Sequence, residues 1–169
     1  MALTKIRDAG MPAGSVLQVV STTKTDTFSA TPGAGVFTDI TGLSVAITPT
    51  SSTSKILVTF STNVSANAAS TTGVRLMRGS TAISIGDAAG SRPLATTGGA
   101  GNEGATWNGD VLASSFLDSP STTSSITYKL QITGNASAVQ YVNRKARDND
   151  STTDDYRMTS HITVTEIAG

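Results

Sequence analysis

The sequence predicts an all-β protein, an antiparallel β-sandwich of the jelly-roll type. Three observations predict it. Ile126, Tyr128, Leu130 and Ile132 alternate with Thr127, Lys129, Gln131 and Thr133, so one face of that segment packs and the other meets water, as in antiparallel sheets. Short apolar bursts of this kind recur between Gly, Pro, Ser and Thr runs, giving about eight to ten strands at the spacing of sandwiches and barrels. No segment carries a convincing helical pattern, and no internal repeat has a fixed period.

The elements follow in order. Residues 1–13 form an N-terminal arm: Lys5, Arg7 and Asp8 precede Gly10-Met11-Pro12-Ala13-Gly14, which suits neither helix nor strand. Residues 14–169 form the jelly-roll domain. Ser15–Val20 is the first strand, and Ser21–Gly35 reads as loop. Val36–Ile40 is a short strand ending near Gly42, and Leu43, Val45 and Ile47 mark another that Pro49 stops.

Lys55–Val64 is the strongest core strand, with Ile56, Val58 and Phe60 on one face. Residues 74–78 and 82–85 read as a hairpin around Gly79-Ser80-Thr81. A long Gly/Ala-rich loop, 86–110, holds Pro93 and Trp107; loops of this length without structure usually function or pack on a neighbour. Strands follow at 111–117, 126–133 and 139–143. A charged segment, 144–157, precedes the last strand, 158–167.

Composition narrows the function. The chain has 169 residues, ample for one sizeable core. Formal net charge is zero, which argues against a nucleic-acid binder relying on clustered Lys and Arg. Cysteine is absent, so neither disulfides nor thiolate metal sites contribute. No segment approaches the ~20 apolar residues of a membrane span, and Met1–Arg7 lacks the apolar core of a signal peptide. The expectation is a soluble protein made in a cytoplasm, with neither membrane nor nucleic acid as partner.

Chemical sites are sparse. His161 is the single histidine, and one base among so many hydroxyls does not define a nucleophilic pair. Asp148, Asp150, Asp154 and Asp155 could collect oxygen ligands for calcium, but the EF-hand glycine and terminal glutamate are missing and four basic residues stand nearby. Glu103, Trp107 and Asp110 are the best group for holding or cleaving sugar, although two acids and one tryptophan more simply anchor a loop. Asn63-Val64-Ser65 and Asn135-Ala136-Ser137 match glycosylation acceptors by chance in so hydroxyl-rich a chain, and Gly98-Gly99-Ala100-Gly101 lacks the Lys-Ser/Thr of a phosphate loop. The reading is non-enzymatic, with no cofactor and no metal.

Several stretches together carry a resemblance: Gly14–Val20, Phe37–Pro49, Ser54–Val58, Phe116-Leu117-Asp118-Ser119-Pro120, Tyr128-Lys129-Leu130, Tyr141–Arg144 and Ile162–Ile167. They resemble small virion structural proteins of tailed bacteriophages, over nearly the whole chain after residue 13. The resemblance implies a compact jelly roll close to the trimeric knobs, decoration proteins and C1q/TNF-type domains, with no catalytic residues.

A short, mildly basic arm before such a domain suits a capsid decoration (cement) protein. It would bind the outside of the phage head as a homotrimer and stabilise the shell. Leu3, Lys5, Ile6 and Arg7 are then the candidate contacts to the major capsid protein. The alternative is a short tail-fibre or knob protein recognising a host-surface glycan through Trp107, Glu103 and Asp110 and the charged 144–157 loop. Either role places the chain on the virion surface.

Overall fold

A computed structural model describes residues 11–99, 108–135, 137–150 and 152–169. Within them lie eleven strands and no helix: β1 (Val16–Lys24), β2 (Phe28–Ala30), β3 (Thr38–Ile47), β4 (Lys55–Ala66), β5 (Thr72–Arg78), β6 (Thr81–Ile83), β7 (Thr97–Gly99), β8 (Asp110–Asp118), β9 (Ile126–Thr133), β10 (Gln140–Val142) and β11 (Ser160–Ile167). All pairings are antiparallel.

Two sheets face each other. The first runs β1-β11-β4, with β8 on the far side of β4; β10 and β2 continue the β11 and β1 positions beyond the end of β11. The second runs β3-β9-β5, with β6 and β7 sharing the far edge of β5. Merging the strands that share a position leaves eight positions. Their sheet orders, first-eighth-third-sixth and second-seventh-fourth-fifth, are those of a jelly roll.

The core lies between the sheets. Ile56, Val58, Phe60 and Val64 of β4 and Ile162 and Val164 of β11 meet Val74, Leu76, Tyr128, Leu130, Ile132, Val45 and Ile47 from the second sheet. The alternation of β9 thus sets its packed face as the sequence predicts.

Four sequence expectations change, the first being that Phe28–Ala30, within the stretch read as loop, forms β2 and pairs with β10. Residues 21–24 continue β1 instead of opening a loop, because Ser21 and Thr23 face outward while Lys24 turns inward and is buried. The two strands expected around Gly42 are one strand, β3. Between the pairs Asp39↔Gln131 and Ser44↔Lys129, β3 advances five residues while β9 advances two. Gly42 turns through φ +86 at this bulge, over the buried Lys24 side chain. The long loop is interrupted by β7, which pairs with residues 72–74. In the β5–β6 hairpin, Arg78 pairs with Thr81, and Gly79 takes φ +58 as the first of two turn residues.

Candidate functional site

The sandwich has two distinct ends. At one, the Gly14 amide donates to the Ala168 carbonyl and the Ala168 amide to Ser15, both at 2.8 Å. The entering chain is thereby fixed beside Ile167, whose partner is Lys55. The capsid-contact candidates Leu3, Lys5, Ile6 and Arg7 lie outside the described residues, but the chain leading from them arrives at this end.

The opposite end gathers the start of β8, the end of β4 and the charged segment. Val64 pairs with Asp110 and Asn63 with Val111, while Ser65 Oγ donates to the Arg144 carbonyl at 2.8 Å. Asn143 anchors the segment. It holds φ +63, its Nδ2 donates to the Lys24 and Asp26 carbonyls at 2.9 Å, and its Oδ1 accepts from Ser160 at 2.6 Å. A depression of about 510 Å³ opens here, lined by Asn108, Lys145, Arg147 and Asp154. Trp107 and Glu103 lie outside the described residues; Asp110 is exposed at the first position of β8.

Charge in the segment is organised internally. Asp148 takes Arg144 and Arg157 together, and Arg147 reaches Asp155 at 3.0 Å and Asp154 at 3.2 Å. Hydrogen bonds from Arg157 and Arg144 hold the Asp148 carboxyl below its usual range despite partial burial, and Arg147 does the same for Asp155. These aspartates therefore hold arginines, and the described residues contain no group of three or more acids or histidines arranged for a metal ion. His161 stands on the outer face of β11, exposed, between Thr23 and Ser61.

The outer faces of the two sheets differ sharply. On the second, Asp39, Gln131 and Arg75 lie in one row. Lys129 and Gln131 donate to Asp39 at 2.6 and 2.7 Å, Arg75 donates to Gln131 at 2.7 Å, and its guanidinium sits 3.8 Å from the Phe37 ring. That face is charged and already internally bonded.

On the first sheet, three rows cross all four strands: Val19-Thr165-Leu57-Leu117, Ser21-Thr163-Thr59-Ser115 and Thr23-His161-Ser61-Ala113. Apart from His161, these positions are all Val, Leu, Ala, Ser or Thr. Val19, Val111 and Leu117 are 59%, 63% and 52% exposed, and Val16 beside Ile167 is exposed too. Lys55, next to the first row, is the face's cation and is bonded to Ser119 at 2.8 Å. Charge depletion with exposed aliphatics is what the centre of a protein interface requires. No protein-family model matches the chain, and no curated protein does.

Proposed function

We propose that this chain is a structural protein of a phage particle, a jelly-roll subunit that assembles as a homotrimer and decorates the outside of the head. The single observation that supports it most is the charge-poor outer face of the β1-β11-β4-β8 sheet, where the three rows that cross all four strands hold no Asp, Glu, Lys or Arg. An isolated domain gains nothing from leaving Val16, Val19, Val111 and Leu117 in water, whereas copies of the chain packed on that face bury them. The jelly-roll strand order agrees with the C1q/TNF-type likeness of the sequence, in which trimers are the rule.

The two ends support the division of labour. The arm leads to one end, where Leu3, Lys5, Ile6 and Arg7 would meet the major capsid protein, and the loop end is left to face outward. The role is mechanical and not catalytic. Several weak contacts held in one trimer add by avidity across neighbouring shell subunits. The chain would be made in the bacterial cytoplasm and end on the virion surface, engaging neither nucleic acid nor membrane.

Labelling the chain on intact particles and locating it by electron microscopy tests this. Label at regular threefold positions over the head is the expected result; label confined to the tail overturns it. A second reading, a knob that binds host-surface glycan, is favoured by one observation. The residue after Trp107, Asn108, borders the same depression as Lys145 and Arg147, so two loops far apart in sequence converge at the end away from the arm.

A further inference from the structure

We infer that the depression at the loop end is a binding site for an acidic sugar, a hydroxylated ring bearing a carboxylate. The inference rests on the glycan-binding reading and adds the ligand's chemistry to it.

Lys145 supplies the charge. Each of Arg144, Arg147 and Arg157 is committed to aspartates of the same segment. Among the described residues Lys145 makes no direct ion pair of this kind, although its charge helps lower Asp155: its Nζ donates to the Asp154 carbonyl at 2.5 Å and lies 5.3 Å from the Tyr156 ring centroid. An ammonium has three donors, so hydrogen bonds from a charged donor remain for a ligand. Held by the carbonyl and close to the ring, this ammonium lines the depression.

The remaining groups suit a sugar. Tyr156 is 59% exposed, and its hydroxyl is turned back toward the Thr153 carbonyl at 3.4 Å, so the ring presents an apolar surface to solvent. The C–H face of a pyranose can pack against such a ring. Asn108, exposed and also lining the depression, offers an amide donor and acceptor in one plane, matching adjacent hydroxyls. The Asp154 carboxylate is more than half exposed and can accept from a hydroxyl while still facing Arg147. A bowl lined by Asn108, Lys145, Arg147 and Asp154, with the Tyr156 ring next to its lysine, lacks the apolar lining typical of drug-like ligands and hydrophobic peptides.

The test is amide-resolved NMR titration of the full chain with a glucuronic-acid oligosaccharide and with its carboxyl-reduced, neutral counterpart. The expected result is saturable shifts at Asn108, Lys145 and Tyr156, with the acidic oligosaccharide bound about tenfold more tightly, the scale of one charge-assisted hydrogen bond. Lys145→Met should erase that preference and spare neutral binding, and Tyr156→Ala should weaken both. Equal binding of the two sugars overturns the acidic specificity and leaves the glycan reading standing. Binding of neither by a folded protein overturns both. Shifts of the same size with sodium sulfate alone would reduce the depression to a plain anion site and overturn the inference.

Discussion

The Tyr128 hydroxyl donates to Asp118 Oδ2 at 2.7 Å, joining the second sheet to the edge strand of the first inside the sandwich. Arg78 closes the group with bonds of 2.9 and 3.1 Å to both carboxylate oxygens. Both Tyr128 and Asp118 are buried. Their hydrogen bond crosses the gap between the sheets where, among the described strands, β8 pairs only with β4.

Tyr128→Phe should therefore cost about 1–1.5 kcal/mol in denaturant unfolding, the scale of one internal hydrogen bond, because Arg78 still satisfies Asp118. Asp118→Ala should cost more, about 2–3 kcal/mol, since it strands a buried hydroxyl as well as removing the carboxylate. Equal losses would show that the Arg78 contact adds nothing.

The same pair predicts an alkaline limit. Burial and then the hydrogen bond to Asp118 raise the Tyr128 phenol well above its ordinary value. A group raised in the folded state stabilises fully below its unfolded pKa, near 10, and progressively less as pH rises beyond it. Ultraviolet titration should show Tyr128 ionising only as the fold is lost, and Tyr128→Phe should remove that step while leaving the rest of the curve.

Glu166 predicts the acid limit. Its carboxylate is 0% exposed, yet accepts from the Thr50 amide at 2.6 Å, the Thr50 hydroxyl at 2.7 Å and Gln18 Nε2 at 2.6 Å. Burial pushes its pKa up, but these donors outweigh it and hold the group below its ordinary value. A lowered carboxyl stabilises above the unfolded pKa, near 4.3, and loses that stabilisation as pH falls through the folded value. Glu166→Gln places an amide donor against existing donors and should cost about 2–3 kcal/mol at pH 7. Denaturant midpoints from pH 7 to pH 3 should fall less steeply for this variant than for the parent chain.

How much of this was legible in the sequence depends on which signal each residue carries. β9 was fully legible, because its alternation separates Ile, Tyr and Leu from Thr, Lys and Gln. The end of β1 was hidden by a lysine pointing inward, and β3 was split in reading because Gly42 marks a turn and a bulge equally well. Asp110, read from the sequence as the last residue of the long loop, is the first residue of β8, while the rest of its trio lies outside the described residues. The charge-poor sheet face could not be read. In β8 the inward Leu112, Ser114 and Phe116 and the outward Val111, Ala113, Ser115 and Leu117 are alike in polarity, so only the register tells them apart.

Asn143 should control the loop end without contacting any ligand there. Its left-handed backbone suits Asn or Gly, so Asn143→Gly isolates the side-chain bonds to Lys24, Asp26 and Ser160 from backbone strain. Loss of these three bonds should destabilise by about 2–4 kcal/mol. The Met158 amide, which donates to the Asn143 carbonyl at 3.1 Å, should exchange its hydrogen faster, by at least about tenfold if the loop loosens locally by ~1.4 kcal/mol. Unchanged exchange at Met158 alongside global destabilisation would mean that Asn143 supports the core and not the loop.

The trimer proposal makes its sharpest demand on Thr59, at the centre of the middle row of the charge-poor face. Its side chain points away from the core, so Thr59→Glu should leave the monomer fold intact. In a closed assembly it would bury a carboxylate within an interface whose crossing rows hold no Lys or Arg, a penalty of several kcal/mol. Light scattering at micromolar protein should then give a trimer mass for the parent chain and a monomer mass for the variant. Thr127→Glu is the matched control. It is exposed on the outer face of β9 beside Lys129 and should remain trimeric. Dissociation by Thr127→Glu and not by Thr59→Glu would move the subunit contact to the charged sheet, and a monomeric parent chain would remove self-association in solution altogether.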